Sequence, residues 1–435
     1  MKRQLISIGL LIVMLLLLAP AAPAIAAPPQ QSQPPLPSNC KTFPVDSPAH
    51  QWYLICLPVE WNGDLVIYAH GYVPPIPGDD GLLLAWQQLI TPDGKTFIPG
   101  LLNQLGFVFA ATTYTKTGLA VKEGLQDTLA LAVAAPGFMP GNLPPKHIFL
   151  IGASEGGLIT TQAMEMSSSP FSAGVAACGP IGDFRAHINY LGDFRVLFDY
   201  FFPGVLKGSP IAIPDDLFSN WLIPTTFNPE LDVLAALQAN PSAASQLIST
   251  SKAAIDPNDP TSIGTTAIKV LNYNVVATMD AHQEIGTQPY SNIKTLYFGS
   301  TNDLLLNKNV ERIPLGTSEA DLTSKLSVYQ TSGKLRLPLV TIHTVRDPEV
   351  PFWQEALYFT KVLKYKSTRL YTNIPIMAYG HCNFTAPQLL AAFAVAYLKG
   401  IQRDMPTNGL THALPLPGQT QQFNKLLKKY RGANP

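Results

Sequence analysis

Ile148-Phe149-Leu150-Ile151-Gly152-Ala153-Ser154-Glu155-Gly156-Gly157 decides how the rest of the chain is read. Four apolar residues form a short buried strand, Gly152-x-Ser154-x-Gly156 follows at once, and a run able to continue as a helix comes next. Strand, sharp turn and helix are the setting that lifts a serine to the tip of a strained turn. The flanking glycines have a steric reason. Strand and helix pass so close that a Cβ at either position would collide. Alone, such a motif reads equally well as an ordinary strand-to-helix turn, so its meaning rests on the chain around it.

Outward from this stretch, apolar strands alternate with helical runs. Upstream, Trp52–Leu57, Leu65–Ala69 and Phe107–Ala111 read as strands, and Val121, Leu125, Leu129 and Ala132 fall near one face of a helix. Downstream, Gly174–Ala177, Leu339–His343 and Thr368–Met377 read as strands, with helices over Phe352–Tyr365 and Pro387–Lys399. The alternation predicts an α/β fold: a mostly parallel sheet flanked by helices. From about Phe184 to Lys334 the alternation stops. Helical runs, prolines and a cluster of aromatics, Phe198, Tyr200, Phe201, Phe202 and Trp221, take its place. That block reads as a largely helical cap, residues 184–334, inserted between core segments 40–183 and 335–403. It would overhang the carboxyl ends of the strands, where such sheets place their sites. Phe198–Phe202 read as the cap's own core rather than the lining of an acyl pocket. No internal repeat is present.

The chain has 435 residues, a formal net charge of zero and 46% hydrophobic residues. A neutral balance gives no electrostatic reason to expect a nucleic acid or an anionic surface as partner. Lys2 and Arg3, the apolar run Leu5–Leu18 and the small residues of Ala24-Ile25-Ala26 read as a signal peptide over residues 1–26. Its apolar run is short for a bilayer and is broken by Pro20 and Pro23, so no membrane anchor is expected after cleavage. A Pro/Gln/Ser-rich leader (27–39) and an irregular tail (404–435) bracket the core. The expected location is secreted, extracellular or periplasmic. Export permits disulfides among the four cysteines Cys40, Cys56, Cys178 and Cys382. Cys40 with Cys56 would close a small loop worth about 3 kcal/mol on the chain-entropy model. Cys178 and Cys382 each follow a core strand at the same edge of the sheet. Sequence leaves all three pairings open. Zinc, nucleotide and dinucleotide fingerprints are all missing, so neither a metal nor a cofactor is expected. Asp79-Asp80 and Asp256–Asp259 read as solvated turns, and the basic run Lys425–Lys429 as a solvated helix end.

A serine hydroxyl needs a base to take its proton, and the base needs an orienting acid. On a strand–elbow–helix scaffold the partners come in the order Ser, Asp or Glu, His. Asp347, in the loop after the strand Leu339–His343, is the acid expected, with Asp183 as the alternative. Of the eight histidines, His381 alone combines the right order with the loop between the last strand and the last helix. His343 lies inside a strand and reads as a satisfied core histidine. The backbone N–H of Glu155 and that of Tyr72, with Gly71 as the second possibility for the latter, are the expected oxyanion donors.

These motifs, His70-Gly71-Tyr72, Gly152-Ala153-Ser154-Glu155-Gly156, Asp347-Pro348-Glu349-Val350-Pro351 and Gly380-His381-Cys382, carry a resemblance to the α/β-hydrolase superfamily over Leu65–Lys399, and to its exported bacterial members with a large cap. The His381-Cys382 step also resembles tannase and feruloyl esterase relatives, in which a disulfide ties the serine and histidine loops together. Here Ala153 rather than cysteine precedes Ser154, and the resemblance implies Cys178 as the substitute partner of Cys382. The resemblance implies carboxylic ester hydrolysis by Ser154, His381 and Asp347 through an acyl-enzyme, on a small-molecule or polymeric ester. A serine peptidase or amidase of the prolyl-peptidase kind is the second expectation. A non-catalytic binding protein on the same fold is the third.

Overall fold

The computed structural model describes residues 36–45, 51–76 and 81–402. The expected signal peptide, most of the expected leader, Asp79-Asp80 and the basic tail lie outside the described residues.

Eight strands form one sheet: β1 (Cys40–Pro44), β2 (Trp52–Cys56), β3 (Leu65–Ala69), β4 (Val108–Thr112), β5 (Ile148–Ala153), β6 (Ala173–Ala177), β7 (Leu339–Arg346) and β8 (Tyr371–Tyr379). Their order is β1-β2-β4-β3-β5-β6-β7-β8. β1 with β2 and β2 with β4 are antiparallel, and every pairing from β4 through β8 is parallel. β3, β4 and β6 are buried along their whole length, as expected of parallel strands covered on both faces.

Among the described residues four helices precede the insertion: α1 (Leu82–Gln87), α2 (Ile98–Asn103), α3 (Val121–Ala134) and α4 (Glu155–Glu165). Between β6 and β7 come α5 (Phe184–Phe201), α6 (Asp215–Leu222), α7 (Pro229–Ala239), α8 (Pro241–Ser251), α9 (Ser262–Ile285), α10 (Asp303–Asn309) and α11 (Glu319–Leu326). The chain then returns through α12 (Trp353–Lys364) and α13 (Ala386–Gln402). This is the α/β-hydrolase fold. The inserted helices carry an apolar core of their own, in which Phe194, Phe198, Phe202, Trp221, Val270 and Leu271 are buried together. The aromatic run is therefore chiefly packing. Among the described residues no helix is long and apolar enough to cross a membrane.

The structure corrects the reading in several places. The stretch Thr368–Leu370 is a 3₁₀ turn, and the last strand begins at Tyr371 and runs to Tyr379. This is an edge strand, only partly buried, and its alternation is blurred because one edge lacks a partner. β1 has a mostly exposed, mixed composition with no strand signature, and it is held by five antiparallel register pairs to β2. α1 and α2 are six residues each, too short to show a period.

Candidate active site

β5 delivers Ser154. Its backbone has φ 56° and ψ −120°, a region that non-glycine residues seldom occupy. A Cβ on Gly152 would overlap the carbonyl of Gly156, and one on Gly156 would overlap the carbonyl of Ala69. Both positions must therefore be glycine for the turn to close. The Ser154 N–H donates to the Ala177 carbonyl at 2.8 Å, which pins the elbow to the end of β6.

β7 delivers Asp347, which is fully buried. Its Oδ2 accepts from His381 Nδ1 at 2.7 Å, and its Oδ1 accepts the N–H groups of Glu349 and Val350, each at 2.9 Å. Burial alone would raise this carboxyl. The facing imidazoles of His381 and His343 overcome that and hold it well below the usual carboxylate range. Three donors on one carboxylate also fix its plane. Asp183, the alternative acid, caps α5 by accepting from the Ala186 N–H at 3.1 Å and is not bonded to His381.

His381 follows β8 on a turn opened by Gly380, whose φ is 103°. Burial works to lower its pKa, but the carboxylates of Asp347 and Glu349 outweigh it and lift the imidazole above its ordinary value. Nε2 lies 3.7 Å from the sulfur of Cys382. Ser154 and His381 border one cavity without a direct hydrogen bond between them. Base–nucleophile bonds of this kind are often long before substrate arrives.

The cysteines pair as Cys40–Cys56 and Cys178–Cys382. The second bridge ties the loop after β6 to the residue next to His381, across 204 positions of sequence. Removing it with Cys178→Ser and Cys382→Ser together is expected to lower stability by roughly 3–5 kcal/mol, because the loop it closes is long. Denaturant unfolding measures this, and a change below about 1 kcal/mol would show that the unfolded chain gains little from its release.

The two expected oxyanion donors, the N–H groups of Tyr72 and Glu155, have no acceptor among the described residues. Gly71 is different. Its N–H donates to Gln88 Oε1 at 2.6 Å, which removes it as the second possibility. Gln88 Nε2 also donates to the Tyr72 carbonyl at 3.2 Å. One carboxamide thus holds the backbone on both sides of the Tyr72 N–H. Gln88→Ala is expected to lower kcat by roughly tenfold to a hundredfold with little change in KM, since donor placement matters most in the transition state. An unchanged kcat would show that the loop holds itself.

Several neighbours were not legible in the sequence. The Tyr72 hydroxyl donates to Asp280 Oδ2 on α9 at 3.0 Å, and Asp280 also takes the Leu119 N–H at 2.7 Å. The insertion therefore touches the loop after β3 directly. It also grips the acid loop, through the His187 ring against the Glu349 carbonyl (2.8 Å) and the Tyr190 hydroxyl donating to the Pro348 carbonyl (2.7 Å). His343 is a satisfied core histidine, with Nδ1 3.1 Å from Glu355 Oε1 and Nε2 2.8 Å from the Val350 carbonyl. Burial would lower it, yet the carboxylates of Asp347, 3.5 Å from its Nε2, and Glu355 push it up to about 10. It is thus a second imidazole facing Asp347. A histidine four residues before an acid was the one signal available for it.

No family model and no curated protein matches this chain. Among solved structures, it is similar to an acylaminoacyl peptidase of Pyrococcus horikoshii at 12% identity, with TM-score 0.40, covering 87% of this chain and 44% of that one. It is similar to an esterase of Pyrococcus furiosus at 11% identity, with TM-score 0.40, covering 84% of this chain and 91% of that one. It is also similar to feruloyl esterase B of Aspergillus oryzae at 14% identity, with TM-score 0.39, covering 79% and 73%. The chain spans less than half the length of the acylaminoacyl peptidases it matches.

Proposed function

We propose that this chain is an exported serine hydrolase of carboxylic esters. The observation that carries the reading is a convergence. A serine held at positive φ on an elbow, and an imidazole bonded at 2.7 Å to a buried carboxylate, border the same cavity from distant parts of the chain. Ser154 Oγ attacks the ester carbonyl while His381 Nε2 takes its proton. Asp347 holds the Nδ1–H tautomer and steadies the imidazolium that forms. The oxyanion falls to the N–H groups of Tyr72 and Glu155. His381 then returns the proton to the leaving alkoxide. Water repeats the sequence on the acyl-Ser154 and releases the acid.

The two disulfides, Cys40–Cys56 and Cys178–Cys382, support an oxidising compartment. The ester reading is tested with p-nitrophenyl esters of graded acyl length set beside aminoacyl p-nitroanilides. Turnover of the esters is the expected result. Turnover of anilides without esters would replace it with the amidase reading.

A further inference from the structure

Two apolar cavities open onto Ser154. One lies under the cap, where Phe184, Ile188 and Leu191 of α5 face Tyr273 and Ala277 of α9. The other runs between the sheet and the helices α2 and α13. Its walls include Tyr68, Ile151 and Val175 from the strands, Leu102 from α2, and Leu389 and Phe393 from α13. Protein interiors are close-packed, so a gap against the middle of a sheet needs a reason. Here Ile151, in the central strand, stays partly accessible while Leu150 beside it is fully buried. Leu101, Ala386 and Leu390 form a small apolar cluster of their own rather than joining the main core. α13 packs on this face where Phe393 meets Phe149, with ring centroids 5.7 Å apart, and the gap opens beside Ile151.

The two cavities differ in which reacting group they reach. His381 borders the cavity beside the sheet and not the one under the cap. The alcohol limb of an ester must leave from the side where the imidazole can protonate its oxygen. Glu155 borders the cap cavity, together with Pro180 and Val350. Charge is scarce in both. No Asp, Glu, Lys or Arg lines the sheet-side cavity. Under the cap, Glu349 is paired with Lys269 at 2.7 Å. Glu155 accepts the Ala120 N–H at 2.6 Å, and burial foremost pushes its carboxyl up to about 8. Neither acid is left as a free anion to anchor an ammonium group.

We propose that the substrate is an uncharged carboxylic ester that is apolar on both sides, with its acyl limb under the cap and its alcohol limb between the sheet and α2 and α13. This rests on the hydrolase reading above. The chain reads the two limbs separately, each by burial in its own cavity.

The test uses two series on the purified protein. Acyl length is varied from p-nitrophenyl acetate to octanoate, and alcohol length from methyl to octyl butyrate. In the unmodified protein kcat/KM is expected to rise along both series, by about tenfold or more for each limb. Ala277→Trp fills the cap cavity and should abolish the gain along the acyl series, while the octyl-to-methyl ratio of kcat/KM along the alcohol series stays within about twofold of the parent's, whatever the loss common to all butyrates. Leu389→Trp should do the converse. Both sites are partly exposed, and the milder Ala277→Phe and Leu389→Phe serve where tryptophan prevents folding. A flat series in the unmodified protein overturns the proposal, as does one variant shifting both series or each variant shifting the wrong one. Labelling of Ser154 by a fluorophosphonate separates the two readings. Loss of labelling together with loss of short-ester turnover defeats the hydrolase reading. Retained labelling with flat length dependence defeats only the two-limb proposal.

Discussion

Ser154→Ala is expected to lower kcat on p-nitrophenyl esters by about 10⁵-fold or more, because the group that forms the acyl-enzyme is gone. What remains is binding and the oxyanion donors acting on a water molecule, a residue of about 10³–10⁴-fold over the uncatalysed reaction. The fold should hardly notice. Among the described residues the Ser154 hydroxyl has no hydrogen-bond partner, so its removal orphans none of them. The strained φ of 56° is shared by serine and alanine alike, since neither is glycine. A melting temperature matching the parent protein, measured on the same preparation, makes the loss attributable to chemistry. Activity retained above about one part in a hundred would mean that another nucleophile does the work, and the assignment would fall.

Asp347→Asn is the second large effect, expected at about 10⁴-fold in kcat. The reason lies in the two oxygens of the side chain. Oδ1 accepts the Glu349 and Val350 N–H groups, so an asparagine carbonyl would be drawn to that position. Its NH₂ would then face His381 Nδ1 and demand an acceptor there. The ring would have to carry its proton on Nε2, the nitrogen that must be bare to activate Ser154.

The same substitution moves the pH profile. The base form of His381 is the active one, so kcat/KM rises with pH as that imidazole loses its proton. In the parent protein the limb should lie above the ordinary value of 6.5, since the neighbouring carboxylates outweigh burial. Losing the Asp347 charge leaves burial less opposed, so the limb should shift to lower pH. Asp183→Asn is the control. Asparagine caps a helix about as well as aspartate, so activity within about twofold of the parent is expected. Equal losses at both positions, or a loss only at Asp183, would mean that the wrong acid has been chosen.

Much of the fold was written locally in the chain. Leu65–Ala69 and Ile148–Ala153 are strands because short apolar runs between turn residues can do little else when buried on both faces. Gly152 and Gly156 were legible for the same reason, as the absence of a Cβ is a property of the residue itself. The order Ser, Asp, His is the one a strand–elbow–helix scaffold calls for. Where the signal depended on a partner, it faded. β8 lies at the sheet edge and was misplaced by a few residues. β1 was missed because its residues are held by pairing with β2 rather than by their own preference.

What only the tertiary structure decided was who stands next to whom at the site. Nothing in the spacing of Gln88 marks it as the clamp on Gly71 and Tyr72. Tyr72 and Asp280 are 208 positions apart and Cys178 and Cys382 are 204 apart, distances over which sequence carries no pairing code. The raised imidazole of His343 and the depressed carboxyl of Asp347 are likewise not properties of those residues alone. They arise because burial removes water from ionisable groups and then sets them within reach of one another, and that field exists only once the chain has closed around them.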